Sequence, residues 1–286
     1  MPEEPSLPTR GLRFWNLRKV VYKEARVNIH DLNRAAWDKE VEEGENPYTK
    51  VVSSEQIAAA KAGRWALYLS DCKPVPANWF PPLEHAKVLC LASGGGQQAP
   101  IFAALGADVT LLDASPNQLA QDRYVAQRDG LTIQTLEGDM ADLSILQSDY
   151  FDLIFNPVST IFVPELKPIW HECYRVLKAQ GTLMTGFMNP DEFIFDVEAL
   201  DHQKALVVKH PLPYIEHETL SPEQIETYRL EKRMFHFSHT MEAQLGGLLE
   251  AGFIITGFYE DRRPKEDENP IRHYMPSYYV VKAQKN

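Results

Sequence analysis

Residues 88–99 read VLCLASGGGQQA: an apolar run, three consecutive glycines, then the opening of a helix. So apolar a run belongs to a strand buried on both faces of a parallel sheet. A strand, glycine turn and helix in that order place backbone N–H groups and a helix N-terminus at one point, where an anion or a polar cofactor can lie against the main chain. Glycine is costly in unfolded-state entropy, so three in a row predict that something approaches closely. Ala92, Ser93, Gly94, Gly95 and Gly96 are therefore expected to touch a ligand. Gly94, Gly96 and Ala99 also satisfy G-x-G-x-x-A, and Asp113 follows Gly94 at the distance of the acid that accepts ribose hydroxyls.

The rest of the chain keeps the β–α rhythm that this start demands. Strands are predicted at 86–92, 107–113, 132–140, 151–156 and 181–188, with a last pair at 253–261 and 277–284. The helix after Asp113 is well punctuated. Ser115 is its cap, Pro116 its first residue, Gln118 the partner in a capping box and Gly130 its stop. Leu166, Ile169, Cys173, Val176 and Leu177 recur at helical spacing over 164–178. Met241, Leu245, Leu248 and Leu249 are assigned to one face of a helix over about 240–251. The expected architecture is α/β: a doubly wound, mostly parallel sheet of about seven strands with helices on both faces. Residues 1–82 form an N-terminal helical and extended cap, with 1–30 covering a surface, and 83–286 the main domain. The rhythm breaks between about 189 and 239, where KALVVKHPLPY and RLEKRMFHFSH read as strands. That stretch leaves from the carboxyl end of the fifth strand, where open α/β sheets bind ligands, and is expected to be a lid or substrate insertion.

Composition narrows the function. A net charge of −11 over 286 residues argues against binding nucleic acid through its phosphates. No apolar window is long enough to span a membrane, and the acidic, proline-rich start does not resemble a signal peptide. Three widely spaced cysteines, Cys72, Cys90 and Cys173, form no zinc pattern and no disulfide framework, which suits a reducing cytoplasm. The histidines lack metal-ligand spacing, and no metal is expected.

Further motifs follow the glycine loop in order: EGDM at 137–140 after the third strand, FDLIFNPVS after 150, and YRVLKAQGTLMTG leading into the fifth strand. Together they resemble the class I, Rossmann-like methyltransferases that use S-adenosylmethionine. Within that family a branch shares LASGGGQQ (91–98), NPYT (46–49), KPVP (73–76), HPLPY (210–214) and FSHT…GGLLEAGF (237–253). The resemblance implies S-adenosylmethionine as cofactor and S-adenosylhomocysteine as product. It implies the glycine loop on the methionine part, Asp113 with Ala114 and Gln118 around the ribose, Asp139 and Met140 at the adenine, and Asn156 at the strand end. One departure stands out: Cys90 and Ala92 occupy the positions of an acidic residue and a glycine. The lost carboxylate would help hold the methionine ammonium, so a substitute is required, with Asn156, the NPYT segment or backbone carbonyls as candidates.

The acceptor is less legible. A small molecule is expected, with Trp37, Tyr48, Ser159 and Tyr214 as substrate-binding candidates. Trp37 and Tyr48 suit a sulfonium, since aromatic faces attract cations, although packing against the sheet accounts for them equally well. If the acceptor needs a base, His210 and His236 are the candidates. Two rival readings differ in class. A non-catalytic cofactor- or partner-binding protein would keep the fold with an altered motif. An NAD(P)-dependent dehydrogenase would share the glycine turn and Asp113, but leaves EGDM and YRVLKAQG unexplained.

Overall fold

The computed structural model describes residues 28–286, so the reading of 1–30 falls almost wholly outside it. Helix α1, Ile29–Glu43, is capped by the Asn28 side chain and stopped by Gly44 in the left-handed conformation. A short turn, Pro47–Thr49, leads to α2, Ser54–Lys61, where Ser53 and Gln56 form a reciprocal capping box. The chain then enters β1, Lys87–Leu91, followed by α3, Gln98–Ala104, β2, Asp108–Asp113, and α4, Pro116–Asp129. Next come β3, Ile133–Glu137, β4, Phe151–Asn156, α5, Lys167–Val176, and the long β5, Leu177–Met188.

Seven strands form one sheet in the order β3-β2-β1-β4-β5-β7-β6, where β6 is Phe253–Asp261 and β7 Tyr278–Lys285. The first five run parallel and β7 is antiparallel to both neighbours, so Tyr278, which begins β7, pairs with Met188, which ends β5. Successive side chains of β1 go to opposite layers, as the pleat requires. Val88 and Cys90 join Phe102, Leu111 and Phe155 on one face. Leu89 and Leu91 join Ile154, Ile169, Trp170 and Leu183 on the other. All five apolar positions assigned to the helix over 164–178 are buried, although Leu177 already belongs to β5.

Three expectations need correction. The capping box at Ser115 is half made: its hydroxyl accepts from Gln118 N–H, but its own N–H donates to Asp113 Oδ1. The helix over 240–251 begins as a π segment, Glu242–Gly246, before the α-helical α9, Gly247–Ala251. The wider turn rotates the face, so Leu248 is fully buried and Leu249 is 56% exposed. In the insertion, the two expected strands reduce to isolated bridges, Phe195 with Val208 and Ile215 with Phe237. Helices α6, Val197–Gln203, α7, Glu216–Thr219, and α8, Pro222–Glu231, fill the rest, and α8 takes the residues that begin RLEKR. Among the described residues no helix is long and apolar enough to cross a membrane.

Candidate active site

The carboxyl ends of the parallel strands open into a cleft of about 2790 Å³. Single-ligand pockets occupy roughly 300–1,000 Å³, so there is room for a cofactor and a second molecule. Its lining runs from Asp113 and Gly138 after β2 and β3 to Met188 and Tyr278 at β5 and β7. From β2 to β7 is four strand spacings, roughly 19 Å. α1 and the insertion lie above it. They are joined by Asn33, whose amide donates to the carbonyls of Phe162 (2.8 Å) and Phe235 (3.0 Å) while its oxygen accepts from Phe235 N–H (2.7 Å).

The glycine loop has a different logic from the one its sequence suggests. A Cβ on Gly95 would lie 2.7 Å from the Tyr48 carbonyl, and one on Gly96 2.7 Å from Val51 Cγ1. Both glycines adopt positive φ, 105° and 74°. Protein, not ligand, therefore occupies the missing side-chain positions there: the segment 47–52 is laid along the loop and tied by Val52 N–H to Gly96 O (2.9 Å). Nor are the N–H groups free. Gly94 N–H donates to Asp113 Oδ2 and Gly96 N–H to Asp122 Oδ2, both at 2.9 Å, and Gly95 N–H to the Gln118 carbonyl. With all three taken inside the protein, two of them by carboxyl groups, the loop offers no donor set for a diphosphate.

Ala92, Ser93, Gly94, Asp113, Ala114, Gln118, Asp139 and Met140 all line the cleft, as do Trp37, Tyr48 and Ser159. Gly95 and Gly96 do not. Asn156 does not either: it is fully buried, donating to Leu91 O (2.9 Å) and Ser159 Oγ (2.8 Å) and accepting from Thr185 Oγ1 (2.9 Å). It ties the ends of β1, β4 and β5 together and, being fully buried, does not reach the cleft wall. Tyr214, His210 and His236 stand away from the lining. His210 packs on the Tyr214 ring at 4.8 Å. His236 packs on Phe162, with Nδ1 3.1 Å from Glu216. The histidines on the cleft wall are His30 and His217, which the sequence did not single out. Burial lowers the His217 pKa, so its ring is neutral at pH 7.

Asp113 accepts backbone N–H groups on both oxygens, from Gly94 and from Ser115, and burial raises its pKa. A carboxylate has about four lone-pair sites, so two remain for a ligand. Gln118 is 5% exposed, and its Oε1 is buried without a partner beside the loop. Trp37 stands edge-on to Phe162, their centroids 5.3 Å apart. Between the glycine loop and the far end, Tyr48 and Tyr278 both donate to Asp71. That group was not visible in the sequence, because its members come from three separated segments without a shared spacing.

A family model described as a methyltransferase domain matches residues 89–185. The "uncharacterized methyltransferase YbaJ" of Bacillus subtilis (strain 168) is 50% identical over 80% of this chain and 89% of that protein. A ubiquinone biosynthesis O-methyltransferase from Xanthomonas axonopodis pv. citri is 28% identical over 53% of this chain and 68% of its own. Among solved structures, an S-adenosylmethionine-dependent methyltransferase from Mesorhizobium loti superposes with a TM-score of 0.58. It is 18% identical and covers 73% of this chain and 94% of its own, a likeness of fold.

Proposed function

Since this chain belongs to the methyltransferase family that includes YbaJ, and its cofactor is S-adenosylmethionine, we propose that it methylates a small-molecule acceptor held at the β5–β7 end of the cleft. The observation that carries this reading is the cleft itself. It continues well beyond the nucleoside-binding strand ends and is covered by α1 and the insertion.

The residues present fit the cofactor. Asp113 keeps two lone-pair sites for ribose hydroxyls, and Gln118 lines the same cleft. Ala114, Asp139 and Met140 form the wall for the adenine, and Gly94 the floor for the methionine. When bound, S-adenosylmethionine supplies a methyl group already activated on a sulfonium. The protein's part is to align the acceptor with that group and to exclude water. For an acceptor that must lose a proton, His217 is the base we assign in place of His210 and His236, being neutral and on the cleft wall. The ubiquinone-pathway relative, an enzyme of small-molecule biosynthesis by its name, supports an acceptor of low molecular weight.

The test is to incubate the protein with methyl-labelled cofactor and a cell extract split into small-molecule and macromolecular fractions. Label transferred to the small-molecule fraction is expected. Label appearing only in protein or nucleic acid would overturn the acceptor class.

A further inference from the structure

We propose that Asp71, clasped between Tyr48 and Tyr278, binds the amino-acid ammonium of S-adenosylmethionine and so replaces the carboxylate that β1 lacks. This rests on the cofactor reading above. Where the family resemblance implies an acid, β1 carries Cys90, which is fully buried in the sheet and reaches no ligand. The methionine end must therefore find its counter-charge elsewhere. Asn156 is fully buried and does not line the cleft.

Asp71 is presented to the cleft by a purpose-built loop. Buried Asp261 at the end of β6 accepts on one oxygen from Ser70 Oγ (2.9 Å), Cys72 N–H (2.7 Å) and Lys73 N–H (2.8 Å). Three donors from four consecutive residues fix the turn on which Asp71 sits. The preceding residue pair is fixed from below, because the Leu69 carbonyl lies so close to Gly186 in β5 that a Cβ there would be 2.0 Å from it. On the cleft side, Tyr48 donates to Oδ1 and Tyr278 to Oδ2, each at 2.7 Å.

The position of the clasp follows from those two tyrosines. The Tyr48 carbonyl rests against Gly95 of the glycine loop, and Tyr278 pairs with Met188 at the end of β5. The carboxylate thus sits between the loop under the cofactor and the far end of the cleft. The other aspartates on the lining are Asp113, which ends β2, and Asp139, which follows β3, at the nucleoside end.

The chemistry specifies the ligand. Each Asp71 oxygen has one tyrosine donor and a free lone pair, so what binds must donate hydrogen bonds, and a cation gains most from doing so. The nearby arginine leaves that charge available: Arg263 is engaged by Glu192 (2.6 Å) and Asp267 (3.4 Å). A primary ammonium, with three donors on a point charge, matches the two free sites.

The experiment is calorimetric titration of the whole protein and of Asp71→Asn with S-adenosylhomocysteine and with its deaminated analogue, in which hydrogen replaces the amine. The wild type should bind S-adenosylhomocysteine the more tightly. Asp71→Asn should weaken S-adenosylhomocysteine by about 10- to 100-fold, the range for a charge-assisted hydrogen bond, and leave the analogue unchanged. Equal weakening of both ligands, or of neither, overturns the assignment while leaving the cofactor reading intact. Binding of neither ligand by the wild type removes both. Should Asp71→Asn fail to fold, a crystal structure of the wild-type complex decides: an ammonium nitrogen within hydrogen-bond distance of Asp71 supports the proposal, and one bonded elsewhere overturns it.

Discussion

Asp122 is an acid on the buried side of α4 with 0% exposure and no basic partner in hydrogen-bond reach. One oxygen accepts from Gly96 N–H and the other has no partner, and burial pushes its pKa up to about 8. The folded state therefore holds a proton that the unfolded chain, with a carboxylate of ordinary pKa, gives up near pH 4. Its contribution to stability is complete below about pH 4 and declines as pH rises to about 8. Asp122→Asn should flatten that decline, with the variant gaining on the wild type between pH 5 and 8.5 in denaturant melts. Parallel curves would show that the group does not titrate in this range. The placement of Asp113 beside Gly94 on the cleft wall could be read from the sequence because it depends on their spacing, a local quantity. Asp122 could not, since only the packed loop shows that α4 aims a carboxyl at Gly96. Asn156 illustrates the opposite error. Its place at a strand end is right, but its side chain is buried among three neighbours on β1, β5 and the following turn and does not line the cleft.

At the scale of elements, periodicity located nearly every strand and helix of the sheet and failed where the helical period itself changes. The π segment Glu242–Gly246 leaves the Ala243 carbonyl to accept from the Trp170 indole (3.1 Å) and turns the following residues onto new faces. Leu248 enters the core with Trp170 and Leu177, whereas Leu249 faces solvent. Leu248→Ala should cost about 2–5 kcal/mol, as for a buried leucine, and Leu249→Ala less than about 0.5 kcal/mol. Equal costs in thermal or urea melts would contradict the π register. The insertion was harder to read for a related reason. Its extended pieces are single bridges held by tertiary contacts, such as Ile215 on Phe237, so no run of alternation marks them.

Over the described residues the molecule is a mostly parallel sheet whose carboxyl edge is roofed by two segments distant in sequence. Asn33 is the tie between them, buried and bonded to backbone groups around residues 162 and 235. Asn33→Ala leaves those backbone groups unpartnered at about 1–3 kcal/mol each. Hydrogen exchange should speed up in α1 and around Phe235 while β1, β4 and β5 keep their protection. Uniform loss across the sheet would show that the roof and the sheet unfold as one. The roof was the least legible part of the site. It depends on long-range contacts, whereas the glycine loop, Asp113 and the EGDM turn follow one another in the order of the strands.

The carboxyl edge of the sheet suits an adenosylated methionine and not a dinucleotide. An aspartate at the end of β2 suits the ribose of either ligand, but the loop's N–H groups are already bonded within the protein, two of them to carboxyl groups, and so are not offered to a diphosphate. The most direct measurement is calorimetric titration of the purified protein with S-adenosylhomocysteine and, separately, with NAD. Saturable one-to-one binding of S-adenosylhomocysteine with no heat from NAD is the predicted result. Binding of NAD without S-adenosylhomocysteine would return the glycine loop to the dehydrogenases.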